Sequence, residues 1–168
     1  MEIVELTAIQ EVKADLAILL KDVVDNGASI GFLPLLPLRE AEEYWENALI
    51  PEVLLFIAKI DGELAGTNQV YLEQKPNGIH RAEIRKLMVH PDFRRKGIAR
   101  NLMEAAEAAV KRENRSLIVL DTREGDPSNG LYVSMQYCRA GRIPGFALSP
   151  DGKKDATILY YKELILED

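Results

Sequence analysis

The chain has 168 residues, 47% hydrophobic and 29% charged, a mixture that suits one folded domain over 1–168 with a sizeable core and excludes a disordered or low-complexity chain. The net charge of −6 argues against bulk attraction to nucleic acid or an anionic membrane, and no apolar run approaches a membrane span. A single cysteine, Cys138, excludes an intrachain disulfide and a multi-cysteine metal site; the charged opening MEIVELTAIQ lacks a signal-peptide core, so the expected location is cytoplasmic.

In chain order, Met1–Thr7 alternates like a first strand, and Ala8–Val24 carries Val12, Leu16, Leu19, Leu20 and Val23 on one helical stripe. Asn26-Gly27 ends that helix. Residues 27–37, GASIGFLPLLP, are apolar but interrupted by two glycines and two prolines. They form no long regular element and must cover either core or ligand. Arg39–Leu49 reads as an acidic second helix containing Trp45.

Val53–Ile60 and Leu64–Leu72 are strand-like and meet at Asp61-Gly62, a hairpin turn pair. KPNG at 75–78 is a turn, and Ala82–His90 is a third strand of this group. Gly97–Arg112 is the clearest helix. Ile98, Leu102, Ala105, Ala106 and Ala109 share one face, and Glu107–Lys111 reads as an i,i+4 pair on the other. LIVL at 117–120 suits a buried strand. A short helix near 127–135, a strand near 137–142, a Pro150-Asp151-Gly152 turn and a strand at 157–162 follow. Strand, helix and strand over 82–121 predict a right-handed βαβ unit with parallel strands. With hairpins on either side, the fold class is α/β with a mixed sheet and helices on its faces.

The stretch PDFRRKGIARNLM, 91–103, concentrates Arg94, Arg95, Lys96 and Arg100 around Gly97 where a helix opens. A helix start already carries unpaired N–H groups and about half a positive charge from the macrodipole. Gly97 permits a tight turn, and the N–H groups of residues 95–99, Ile98 and Ala99 included, would point at phosphate oxygens. The pattern R/Q-x-x-G-x-G/A alone recurs by chance in about one chain of this size in six or seven. Its place after a strand, at the start of the best helix and before a buried strand gives it weight. Neither a P-loop (GxxxxGK[ST]) nor a GxGxxG fingerprint is present.

KLMVHPDFRRKGIARNLM resembles motif A of the GNAT-type N-acetyltransferases, which bind acetyl-coenzyme A. The similarity runs from about residue 27 to 164, through GASIGF (27–32), QKPNGIHRAEIRKLMV (74–89), LDT (120–122), LY (131–132), PGF (144–146) and SPDG (149–152). The resemblance implies the family's fold, a twisted mixed sheet of about seven strands flanked by about four helices. It also implies a V-shaped opening between strands 82–90 and 117–121, a bulge in the first of these, and a pantetheine arm bonded to backbone near Leu87, Met88 and Val89. The family often has glycine at the position of Ala99, where a methyl group is commonly accepted. Many members carry a cofactor-contacting asparagine where Gly125 stands; Asn129 is the nearer candidate here.

Amine acetylation from a thioester needs an acceptor that loses its proton, donors for a developing oxyanion, and stabilisation of the departing thiolate. Tyr132 is the candidate acid, since a phenol's ordinary pKa near 10 lies close to a thiol's, and the resemblance puts the family's proton-donating tyrosine there. Asp121 follows LIVL, at the carboxyl end of a parallel strand where ligands gather in open sheets. The resemblance implies a general-base role for it. Glu83, on the neighbouring strand, is the second candidate base, acting through water. Phe32 and Trp45 are candidates for the acceptor pocket. Cys138, in the apolar pattern YCRAGRI, reads as a buried structural cysteine. His80 and His90 are isolated, so no metal site is expected. The implied activity is direct transfer from acetyl-coenzyme A to a primary amine of a small molecule, with antibiotic- or toxin-like amines among the candidates. Acetylation of a peptide terminus or protein lysine, and a non-catalytic acetyl-coenzyme A sensor, are the alternatives. Oligomeric state stays open, a homodimer included.

Overall fold

The computed structural model describes residues 1–166. The alternating stretches pair into one seven-stranded sheet: β1 (Glu2–Leu6), β2 (Val53–Ile60), β3 (Glu63–Leu72), β4 (Arg81–Val89), β5 (Leu117–Arg123), β6 (Cys138–Leu148) and β7 (Lys154–Glu163). Their order across the sheet is β1-β2-β3-β4-β5-β7-β6. β4 and β5 run parallel, joined through α3 as the βαβ reading predicts, and the other neighbours are antiparallel. The helices are α1 (Lys13–Asp25), α2 (Leu38–Glu46), α3 (Ile98–Arg112) and α4 (Ser128–Ser134).

The helices divide between the two faces. Leu16, Leu20 and Val23 of α1 and Ala41 and Trp45 of α2 pack with Leu55, Ile57 and Met88. On the opposite face Leu102, Met103 and Ala106 of α3, with Tyr132 of α4, pack on Phe56, Val70 and Ile84. Burying one such large aliphatic side chain contributes roughly 1.5–3 kcal/mol. Gly66 of β3 lets α3 lie close: a Cβ there would fall 2.7 Å from the Met88 carbonyl oxygen and 3.1 Å from Ile98 Cγ2.

β4 changes faces halfway along. Ala82 and Ile84 belong to the α3 side, whereas Met88, at the same parity, belongs to the α1–α2 side. A strand with period 2 can do this only through an inserted residue. The insertion shows as a register shift, Gln69 facing Arg85 and Thr67 facing Met88, with Lys86 at φ 52°. This is the bulge that the resemblance implies.

Three expectations are corrected. α1 begins at Lys13 rather than Ala8, because the chain leaving β1 first turns through an Ile9 O–Val12 N bond of 3.1 Å that buries Ile9 among the α1 side chains. Glu107 does not pair with Lys111; it turns inward and meets Lys162 of β7 at 2.7 Å. Cys138 is exposed, not buried. β6 is the outermost strand, and the alternation there gives the buried position to Tyr137 and leaves Cys138 facing outward.

Candidate active site

The parallel ladder between β4 and β5 spans only Arg81–Glu83 against Leu117–Val119. Beyond it β4 follows β3, β5 follows β7, and the two diverge from the bulge at Lys86 onward. A wedge therefore opens inside the sheet. Residues 84–89, which include Leu87, Met88 and Val89, still follow β3 along one edge, but among the described residues their other edge, facing β5, has no strand partner. Such a free edge offers backbone donors and acceptors to an extended ligand.

At the far end of β4 the chain turns through Pro91–Phe93 into α3. Gly97 sits at φ 78° as the residue capping α3, with no side chain accepting from the first N–H groups, and Arg95 lies at φ 63°. The first helical bond is Asn101 N–H to the Gly97 carbonyl at 3.1 Å. Among the described residues the N–H groups of 95–100 have no intramolecular partner. Arg95, Lys96 and Gly97 are exposed, whereas Ile98 is buried and Ala99 half-buried. Arg94 is tied to Asn26 Oδ1 at 2.9 Å and Arg100 to Ser134 Oγ at 2.8 Å, so these two brace the loop against α1 and α4. A diphosphate fits this start: unpaired amides, the helix dipole and solvent-facing cations converge on it.

The wedge contains a cavity of about 510 Å³. Glu83, Lys86 and Leu87 of β4, Asp121 and Arg123 of β5 and Tyr132 of α4 all line it, closed over by residues 28–31. Asp121 and Glu83 differ in their partners. Glu83 Oε2 accepts from Arg85 Nη2 at 2.5 Å, and the Arg85 guanidinium lies over the Tyr71 ring at 4.5 Å. Asp121 has no cation within ion-pair distance among the described residues. Its Oδ2 lies 2.7 Å from the Thr157 hydroxyl, whose single proton is shared with the Thr122 carbonyl at 3.0 Å.

Tyr132 is buried, its ring 5.8 Å from that of Tyr137 and 5.6 Å from that of Tyr160. Burial, and then the nearby Asp121 charge, push its pKa well above the ordinary phenol value. The proton thus stays on at neutral pH, and the phenol is a weaker acid than the sequence alone implies.

Two predicted residues do other work. Trp45 is fully buried and its Nε1 donates to the Leu16 carbonyl at 2.8 Å, so it fastens α2 to α1 and lines neither cavity. Asn129 Nδ2 donates to the Arg123 and Asp126 carbonyls, both at 2.9 Å, and its Oδ1 accepts from Tyr160 at 2.9 Å. Its side chain thus ties the β5–α4 loop to β7. Phe32 does reach a cavity, an outer one of about 650 Å³ that adjoins the first.

Lys86 and Arg123 escaped the sequence reading. Lys86 Nζ donates to the Ile30 carbonyl and lies 5.3 Å from the Phe32 ring centroid and 5.6 Å from that of Tyr44. Burial, and then the Arg85 charge, lower its pKa. Arg123 Nη2 donates to the Gly27 carbonyl at 3.0 Å and to Asp126 Oδ1 at 2.9 Å. Together the two cations pin the apolar 27–37 segment across the wedge. The signal was the doublet Arg85-Lys86, which breaks the alternation of a buried strand and is resolved by the bulge.

A family model described as the acetyltransferase (GNAT) family matches residues 14–137. An uncharacterized N-acetyltransferase in the hisH–hisA intergenic region of Azospirillum brasilense is 34% identical over 107 residues, 61% of this chain and 63% of that protein. The match thus spans less than two thirds of that relative's length. A ribosomal-protein-alanine N-acetyltransferase from Brucella melitensis superposes with a TM-score of 0.83 at 18% identity, covering 98% of this chain and 100% of that one. An aminoglycoside 6'-N-acetyltransferase solved with coenzyme A gives 0.79 at 19% identity, covering 100% and 99%.

Proposed function

The chain belongs to the GNAT family of acetyltransferases, and from that premise we propose that it transfers the acetyl group of acetyl-coenzyme A directly to a primary amine of a small molecule. When bound, acetyl-coenzyme A supplies an activated acyl carbon and a thiolate leaving group. The N–H groups of residues 95–99 would hold its diphosphate, and the free backbone of Leu87–Val89 its pantetheine arm.

Within the cavity, Asp121 is the acceptor's anchor and base. Its carboxylate is free of cations, whereas Glu83 is engaged by Arg85. An ammonium would pair with Asp121 and give up its proton there, leaving the nitrogen lone pair free. Thr157 holds the carboxylate in position. Tyr132, in the same cavity and protonated at neutral pH, holds a proton for the departing sulfur. Residues 28–31 wall the cavity on one side, which supports a small acceptor over a long peptide. We propose further that this acceptor is antibiotic- or toxin-like. That rests on the resemblance of GASIGF, LDT and PGF to segments of the tabtoxin resistance acetyltransferase.

The observation that carries the reading is the coincidence, in one wedge, of a carboxylate with no ion-pair partner, a protonated phenol and a free strand edge. It is tested by thiol release from acetyl-coenzyme A with a panel of amines, followed by pH–rate profiles of Asp121→Asn and Glu83→Gln. Loss of the alkaline-rising limb in Asp121→Asn alone is the expected result. Its loss in Glu83→Gln alone would transfer the base to Glu83. Cofactor binding without turnover on any amine would make the protein a sensor.

A further inference from the structure

The inner cavity does not end where the acceptor amine would sit. Ser29, Gly31, Phe146 and Ala147 line both it and the outer cavity, so the two share a wall and run into one another. Their titratable side chains differ. The inner one presents Glu83, Asp121 and Asp126 with the cations Lys86 and Arg123; the outer one, about 650 Å³, is lined by Phe32, Leu33, Leu35, Phe146 and Leu148 with Glu40 as its one acidic side chain. Leu33, Leu35, Phe146 and Leu148 remain 49%, 83%, 54% and 55% exposed. Large apolar side chains gathered around a concave surface, next to a polar site, mark a place where apolar ligand surface is buried. Two separate segments, 31–37 and the end of β6, supply them. The first is tethered just before its start, where Lys86 and Arg123 bond the Ile30 and Gly27 carbonyls, and near its end, where Leu36 bonds Asp25 and Lys21.

We propose that the outer cavity is a second subsite that receives an apolar arm of the acceptor, so that the substrate class is a primary amine carrying an alkyl or aryl substituent. This rests on the acetyltransferase reading above and adds to it. The ammonium lies at Asp121, and the arm runs outward past Phe146 to Leu35 and Leu148. Selection among amines then comes from the outer cavity, and acetylation from the inner one.

The test is a ladder of n-alkylamines from ethylamine to hexylamine, followed by thiol release at saturating acetyl-coenzyme A. Each added methylene should raise kcat/KM about two- to fourfold, from half to full burial of its surface, until the cavity is filled. The gain should fall mainly on KM. Leu35→Ser and Leu148→Ser, both at solvent-facing positions and touching only the outer cavity, should cut the hexylamine-to-ethylamine ratio about tenfold. A flat ladder with measurable ethylamine turnover overturns the subsite and leaves the acetyltransferase reading intact. No turnover with any amine removes both. If the serine variants keep the ladder but change the solution mass from dimer to monomer, the apolar rim is an interface between copies and the proposal fails. A free peptide amine that outpaces every alkylamine also overturns it.

Discussion

Replacing Gly66 by alanine tests whether α3, and with it the anion-binding turn, is set by close contact with β3. The added methyl would lie 2.7 Å from the Met88 carbonyl oxygen, 3.1 Å from Ile98 Cγ2 and 3.2 Å from Leu102 Cδ1. The first neighbour is backbone on the strand beside the wedge, and it cannot swing aside like the tip of a side chain. Overpacking of this kind costs about 1–3 kcal/mol. For a domain of this size that is a fall in Tm of about 2–4 °C per kcal/mol. Ile98 is the first residue of α3, so the strain pushes on the turn that offers its amides to the diphosphate. Coenzyme A affinity should therefore fall several-fold together with stability. Gly130→Ala is the control: Gly130 lies in α4, and a Cβ there meets nothing within 4 Å. Alanine at this position should raise stability by up to about 1 kcal/mol. Chemical denaturation and calorimetric titration with coenzyme A measure both quantities. A Gly66→Ala protein with unchanged midpoint and unchanged affinity would refute the reasoning.

Gly97→Asp should keep the fold, losing about 1–2 kcal/mol to the left-handed backbone, because the nearest atom to a Cβ there is 3.7 Å away. One carboxylate about 5 Å from a phosphate repels it by about 3 kcal/mol at an effective dielectric near 20, so coenzyme A affinity should drop more than about 100-fold. Tyr132→Phe should lower turnover by about 10²–10⁴ while the affinity for coenzyme A, read by titration, stays within about twofold of wild type. Lys162→Met would leave Glu107 facing inward without its partner; both side chains are mostly buried. Stability should fall by about 2–3 kcal/mol, below the range for fully buried pairs, and double replacement with Glu107→Gln should restore part of it.

The sheet and its helices were legible because their periods are regular: the stripe of α3, the hairpin at Asp61-Gly62 and the run LIVL each predict the element that forms. Gly97 was legible too, since only a few residue types cap a helix in a left-handed conformation. What the sequence hid are contacts between distant segments. Trp45 looked like a pocket residue because an aromatic on an amphipathic helix has the same pattern whether it faces ligand or core; its bond to Leu16 decides the matter. Glu107 and Lys111 have the spacing of a surface pair, but Lys162, 55 residues away from Glu107, competes and wins. Cys138 sits among apolar residues on a strand whose outer position in the sheet no local pattern announces. Lys86 required knowing that β4 is interrupted, which alternation alone marks only as a charged doublet in the wrong place.

Three residue pairs are all that stitch β4 to β5. The sheet is thus two wings, four strands and three, meeting at a short seam. Amides just past that seam lie at the heart of the molecule yet should exchange hydrogen like those at a margin. A ligand lying along it acts as a missing strand, so its binding should slow that exchange on both wings at once and raise the melting temperature with concentration.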